Sequence, residues 1–396
     1  VYVRDISFAL SLLGHEVDVI SGPPYPNLQQ GVNLIELPGL NLFETFSFKD
    51  RLKKFFYKKN KKLNEYYEFF SVLFGGFPEP KTFGKRANDY LKTNDHYDLI
   101  IDNQSLSYGM VEIQKRFPFI EMIHHPITMD FKHEMKVSKK IKYKVSRYRW
   151  YSFLKMQKKV APSIKRIITP SESSKNGIIE DLNCKNTNIT VINNGLDTDE
   201  FSPIKGTERN KFRLITTASA DVPLKGLDYT LKALNILKND FPEIQLIIIG
   251  SLKKGGHTQK LIKKLNLEKY IIFKTNITKK EIKELYAESS IAIVSSLYEG
   301  FGYPVIEAMS CEVPLIATNV SSIPELTSKY ALLVDPKNSE MISAGVKDIL
   351  SNYEKYKKIA IHGRQHVVKN FNWIKITRKY ENIIFKTIRE FKNVDV

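Results

Sequence analysis

Twelve short runs rich in β-branched residues alternate with helix-like stretches along the whole chain, and few folds accept that rhythm. In the first half the runs are "EVDVISG" (16–22), "VNLIELPG" (32–39), "YDLIIDN" (97–103), "FIEMIHH" (119–125), "RIITPS" (166–171) and "ITVINNG" (189–195). In the second they are "RLITTAS" (213–219), "IQLIIIGS" (244–251), "YIIF" (270–273), "SIAIVSS" (290–296), "VPLIAT" (313–318) and "YALLVD" (330–335). A helix between two strands returns the chain to the same end of the sheet, so such strands pair in parallel. The expected fold class is α/β, with two doubly wound parallel-sheet domains. Their seam is expected near "NNGLDTDEFSP" (193–203), where turn residues and Pro203 interrupt the periodicity.

A chain of 396 residues is long enough for two such cores. Its formal charge of +18 points to anionic partners: nucleic acid, anionic lipid or phosphorylated substrates. A solvated lysine surface explains the same number without a partner. Cys184 and Cys311 stand far apart in no ligand spacing, which argues against a disulfide framework or a zinc site and fits a reducing cytosol. No apolar run reaches the length of about 18 residues that a membrane span needs, and no signal peptide is evident. The sequence opens at Val1 inside an amphipathic pattern (Val3, Ile6, Leu10, Leu13) that stops at Gly14, so a natural start upstream is expected.

The stretch "YEGFGYPVIEAMSCEVPLIAT" (298–318) carries the chemistry. Gly300 and Gly302 permit a tight loop poor in side chains, and Pro304 suits the first position of a helix. Free N–H groups at that helix start would face whatever lies over the loop, and phosphate suits such a place. Glu299 and Glu307 would repel phosphate. They fit if each accepts hydrogen bonds from hydroxyls, as on a sugar and a ribose, with the phosphates held between them by backbone.

"EGFGYPVIE" resembles the E-x7-E motif of the retaining family 4 glycosyltransferases. "VINNGLDTDEFSP" is similar to the family's interdomain signature, "PLKGLDYTLKAL" (223–234) to its donor-phosphate loop and helix, and "FNW" (371–373) to the segment before its last crossing helix. The resemblance implies the GT-B fold: two facing Rossmann-like domains with the sugar nucleotide in the cleft. The domains would be 1–200 on the acceptor side, 201–372 for the donor, and 373–396 as a helix returning to the first. It implies that Glu299 contacts the donor sugar, that Glu307 holds the ribose, and that Gly300, Phe301, Gly302 and Val305 act through backbone amides. Lys225 would neutralise the diphosphate leaving group without a metal or other cofactor. The family usually places an arginine five or six residues before that lysine, where this chain has Ser219 and Ala220. The resemblance implies that the family's first strand and Gly-rich loop would lie upstream of Val1.

In the first domain the resemblance assigns His124 to the transferred sugar, at the carboxyl edge where open α/β sheets bind ligands. His125 facing the cleft instead stays open. "DTD" (197–199) lies at the seam and not after an early strand, so it is read as a turn and not as a metal-binding motif. The expected partners are a nucleotide-sugar donor and a hydroxyl acceptor, a glycan or lipid-linked. Two basic aromatic segments suggest an anionic membrane surface on the cytoplasmic side: Lys53, Lys54, Lys58, Lys59, Lys61 and Lys62 with Phe55, Phe56 and Tyr57, and Lys139 to Arg149 with Tyr148, Trp150 and Tyr151. The competing reading turns those aromatics into the core. A nucleotide-sugar epimerase of the same fold and a noncatalytic basic binding protein remain as alternative functions, although no nucleic-acid motif accompanies the charge.

Overall fold

The computed structural model describes all residues except 1, 43, 46, 60, 138, 139 and 394–396. Val1 and Lys139, both named above, lie outside the described residues. Each β-branched run coincides with one strand, three of which (β7, β9 and β10) extend past the run: β1 Asp18–Ser21, β2 Asn33–Glu36, β3 Ile100–Asn103, β4 Phe119–Met122, β5 Ile167–Thr169, β6 Ile189–Val191, β7 Asn210–Thr217, β8 Gln245–Ile249, β9 Ile271–Lys274, β10 Ser289–Val294, β11 Leu315–Thr318 and β12 Leu332–Val334. Every pairing among them is parallel. The chain divides into two compact units, one of Val1–Asn193 with Thr377–Val396 and the other of Asn194–Ile376.

The second unit holds one six-stranded sheet in the order β12-β11-β10-β7-β8-β9. The chain enters at β7, moves outward to β9, then returns to β7's other side and moves outward again. Loops after β7 and β10 therefore leave in opposite directions from adjacent strands and open a crevice at the carboxyl ends. Both faces are buried, which is why these strands read as continuous apolar runs. Leu246 and Ile248 face one core with Leu231 and Ile293, while Ile247 and Ile249 face the other with Val294 and Met309.

In the first unit β1 and β2 pair with each other, and β3-β4-β5-β6 form a separate four-stranded sheet. The Tyr97 hydroxyl donates to Asp18 Oδ2 at 2.8 Å, tying β1 to the approach to β3. The helix Trp373–Lys392 contributes its first turn to the second unit and the rest to the first. There Tyr380 is fully buried and meets the Tyr2 hydroxyl at 2.9 Å, and Arg166 pairs with Glu390.

The division at Asn193 and Asn194 lies at the start of the 193–203 stretch where the periodicity breaks, and the cause is local. Leu196 donates its amide to the Phe371 carbonyl at 2.7 Å and bridges to Asn372 in parallel. Gly195 lies so close against Trp373 that a Cβ would stand 2.2 Å from the indole. The "NNGLDTD" and "FNW" stretches thus pack on each other.

Two arginines anchor the helix that follows the Gly-Phe-Gly loop. Arg209 donates to the carbonyls of Tyr286 (2.8 Å) and Ser289 (2.7 Å) with one nitrogen, and of Cys311 (2.9 Å) and Glu312 (3.1 Å) with the other. Arg364 reaches the carbonyls of Ser310 (2.6 Å) and Phe201 (3.1 Å). Most of these carbonyls lie at or just past the ends of the helices Lys279–Glu288 and Tyr303–Ser310, where intrahelical partners run out. Arg209→Met should lower unfolding stability by about 2–4 kcal/mol, measured by urea denaturation, because it removes four hydrogen bonds to carbonyls at once. A loss below about 1 kcal/mol would mean that water replaces the guanidinium.

Candidate active site

Backbone contacts zip together the two loops that leave the crevice of the second unit. After β7 the chain runs through Ser219 and Ala220 to the short turn Pro223–Lys225 and then to the helix Leu227–Asp240. Gly226 sits at the junction with φ of 63°, and a Cβ there would lie 1.9 Å from the Ser295 carbonyl oxygen. Only glycine lets the turn approach the end of β10 so closely. The Leu297 amide donates to the Leu224 carbonyl at 2.7 Å, and Ser295 Oγ to the Gly226 carbonyl at 3.0 Å.

This zipper brings together two residues 74 positions apart in sequence. Lys225 Nζ lies 2.7 Å from Glu299 Oε1, which also accepts from Ser296 Oγ at 2.6 Å. Ser322 Oγ holds the backbone of the same loop, donating to the carbonyls of Glu299 (2.9 Å) and Phe301. Glu299 is 8% exposed, so an anion is kept in a nearly dry place by a partly exposed cation and a hydroxyl. Such a pair costs desolvation and is weak evidence of stability, but it fixes the ammonium at the crevice.

The helix expected after the loop spans Tyr303–Ser310. It begins one residue earlier than the proline suggested: Gly302, with φ of 113°, is the cap and Pro304 the second helical residue. Proline is harmless there because the first turn's N–H groups have no helical acceptor. Phe301 and Val305 bury their side chains in the core, so only their backbone can face a ligand. Glu307 lies one turn on and half-buried, with the buried Tyr286 hydroxyl 3.5 Å away. Burial pushes its carboxyl up to about 7, against the opposing pull of Tyr286 and of Lys279, which itself pairs with Glu200 at 2.5 Å.

Two features were missed in the sequence. A cavity of about 230 Å³ opens beside the crevice at the ends of β8 and β9, lined by Gly250, Ser251, Lys274, Asn276, Ile277 and Ile282 among others. Asp221, with φ of 61°, accepts from the Thr258 amide at 2.9 Å and donates its own amide to Thr258 Oγ1 at 3.0 Å. It thereby caps the helix His257–Lys264 and pins the loop that carries Ser219, which is exposed. The Gly255-Gly256 pair ahead of that helix was the available signal: a Cβ on Gly256 would stand 2.2 Å from the Asp221 carboxylate.

His124 and His125 belong to the first unit and follow β4. His124 Nε2 is 2.9 Å from Asn103 Oδ1, and its ring meets Tyr2 edge-on at 4.5 Å. Burial, helped by His125, lowers its basicity to a pKa of about 4, so the imidazole is neutral at pH 7. His125 instead contacts Asp130 at 2.8 Å. In the "DTD" stretch Asp197 accepts from the amides of Asp199 (3.1 Å) and Glu200 (2.8 Å), which is turn capping. Among the described residues no group of three or more His, Cys, Asp or Glu is arranged to hold a metal ion.

Glu307 makes the site testable through stability. Its proton affinity is higher folded than unfolded, so its contribution is fully present below the unfolded value near 4.5 and is lost as pH rises through about 7. Glu307→Gln should therefore raise the melting temperature at pH 8 but not at pH 4.5. After allowance for its solvent contact the gain at pH 8 is about 1–2 kcal/mol. An equal change at both pH values would refute a burial cost at this carboxyl.

Comparison with known proteins closes the case for the fold and the family. The model of "Glycosyltransferase Family 4" matches residues 1–200, and that of "Glycosyl transferases group 1" matches residues 198–366. An MMP alpha-(1->4)-mannosyltransferase of Mycolicibacterium hassiacum is 33% identical over 98% of this chain and 94% of its own length. A GDP-mannose-dependent alpha-(1-6)-phosphatidylinositol monomannoside mannosyltransferase of Mycolicibacterium smegmatis is 26% identical over 45% of this chain and 51% of its own. Among solved structures, sucrose-phosphate synthase from Thermosynechococcus elongatus superposes with a TM-score of 0.73 over 98% of this chain and 93% of its own, at 18% identity. Glycosyl transfer is the activity these relatives share, which sets aside the epimerase and nucleic-acid readings, and the chain belongs to the family 4, group 1 glycosyltransferases of GT-B fold.

Proposed function

We propose that this glycosyltransferase moves a hexosyl group, with mannose the first candidate, from a nucleotide-diphospho-sugar to a hydroxyl acceptor with retention of anomeric configuration. The Lys225–Glu299 pair at the switch point carries the reading. Cleavage sends the electron pair of the anomeric C–O bond onto the departing phosphate oxygen. A fixed ammonium and the helix N-terminus at Tyr303 oppose that charge. Retention has the acceptor oxygen bond the same face of the anomeric carbon, its proton passing to the departing phosphate. In this reading Glu299 orients Lys225 and accepts from a sugar hydroxyl, Glu307 accepts from the ribose, and the cavity beside β9 takes the base. Ser219 borders the phosphates where the family's arginine usually stands. His124 is a neutral hydrogen-bond partner for the transferred sugar; His125, held by Asp130, is assigned to its support. Mannose is favoured because the nearly full-length relative is a mannosyltransferase.

A panel of GDP-, UDP- and ADP-sugars, read by nucleotide released, tests this. One donor should be turned over, with turnover unaffected by EDTA and lowered on the order of a hundredfold by Lys225→Ala in a variant that still melts cooperatively. Turnover abolished by EDTA, or untouched in that variant, would overturn the assignment.

We further propose that the first unit binds an anionic membrane surface. No described helix is long and apolar enough to cross a membrane. Side-chain placement supports an interfacial role for some of the aromatics. Phe55 is core, stacked on Phe69 at 4.1 Å, and Trp150 stacks on Phe77 at 5.0 Å, whereas Phe56 (70%), Tyr57 (80%) and Leu63 (81%) are exposed. The helix Ile141–Trp150 buries none of its residues and carries Lys142, Lys144, Arg147 and Arg149. Lysines near anionic lipid contribute about 1 kcal/mol each. Reversing the exposed Lys53, Lys59 and Lys62 to Glu should weaken sedimentation with phosphatidylglycerol vesicles on the order of a hundredfold. Equal binding to phosphatidylcholine, or to neither lipid, would sink the membrane reading and leave the donor site untouched.

A further inference from the structure

Behind His124 the first unit buries two carboxyl groups side by side. Asp102 and Glu121 are partners in the parallel register of β3 and β4, so both project from the same face of the sheet. Leu106, Met110, Met156 and Val160 belong to the apolar core on that face. Glu121 has no exposed surface and Asp102 is 6% exposed. Two anions so placed in an apolar core are untenable, so one carboxyl keeps its proton.

The surrounding donors decide which. Asp102 Oδ2 accepts from the amide and the hydroxyl of Ser105, both at 2.8 Å, and from the Leu106 amide at 3.3 Å. These donors already engage Asp102 as an acceptor. Neither oxygen of Glu121 receives a well-formed hydrogen bond. Burial and the neighbouring Asp102 raise its proton affinity far above the usual range, and the amides of Gln104 and Leu106 offset only part of that.

The loop above the pair is strained. Gln104 and Leu106 both have left-handed φ, 64° and 47°, which residues with side chains keep only where their surroundings impose it. From this loop Asn103 contacts the His124 ring. Gln104 Oε1 accepts from the His124 amide at 2.8 Å, and Gln104 Nε2 donates to the His125 carbonyl at 2.8 Å. Gln157 braces the loop from behind, donating to the Ser105 carbonyl at 3.2 Å.

We propose that Glu121 is a positioning residue: its neutral carboxyl donates a hydrogen bond to Asp102, and the pair holds the strained 103–106 loop that sets the imidazole of His124. Its kinetic consequence rests on the role assigned to His124 above.

The test uses the full chain. Infrared difference spectra of parent minus Glu121→Gln at neutral pH should contain a protonated-carboxyl band. The Gln variant, a neutral donor of the same shape, should keep the His124 ring ¹⁵N shifts and turnover within about threefold of the parent. Glu121→Leu should displace those shifts and lower kcat by on the order of tenfold to a hundredfold, with the donor KM unchanged. If the Leu variant fails to fold, Ser105→Ala removes one donor from Asp102 and should act in the same direction, less strongly. Absence of the difference band, or His124 shifts in both Leu and Ser105→Ala variants identical to the parent, would overturn the proposal. Displaced shifts with unaltered turnover would uphold the positioning and remove His124 from the reaction.

Discussion

A strand buried on both faces and paired in parallel cannot turn back on itself, and most of what this protein does follows from that constraint. Each strand of the six-stranded sheet must be followed by a crossover that covers one face. The strand order β12-β11-β10-β7-β8-β9 makes the crossovers part company between β7 and β10. Lys225 and Glu299 lie on the two loops that leave from that point, and the helix Tyr303–Ser310 starts beside them. Arg209 and Arg364 then take up the carbonyls around the far end of that helix, so its N-terminus stays aimed at the crevice.

Around this frame the chain keeps ionisable groups where burial makes charge costly. Glu299 is nearly dry and offset by Lys225 and Ser296. Glu307 is left with a weakly opposed burial penalty and titrates near 7. Glu121 is fully enclosed beside Asp102. A protein selected for stability alone would place apolar side chains at all three positions. Each of these carboxyls instead lies beside a segment to which the family resemblance or the loop geometry gives a task.

The fold class was legible because periodicity reports burial, and burial is what a two-sided parallel sheet needs. All twelve runs are strands in the structure, and the E-x7-E stretch holds the loop and helix start that its glycines and proline suggested. The aromatic basic segments were not decidable from pattern. Phe55 and Phe56 are neighbours with the same chemistry, yet one is 6% and the other 70% exposed, because only Phe55 faces Phe69. The β8–β9 cavity was invisible, and Asp221 nearly so, for the same reason: their partners, Asn276 and Thr258, lie tens of residues away.

By itself the sequence determined the α/β class, the order of the elements, the glycine loop at Gly300 and Gly302, and the residue types available for phosphate and hydroxyl chemistry, since all of these depend on local conformational preference and on spacing within one element. The tertiary structure alone decided that Lys225 is held by Glu299 across 74 residues, that Glu307 is left without a paired cation strong enough to offset its burial, and that Asp102 and Glu121 share one buried place beneath His124. Those facts depend on strand order and register, which bring distant residues within a hydrogen bond of each other and remove the water that would otherwise screen them.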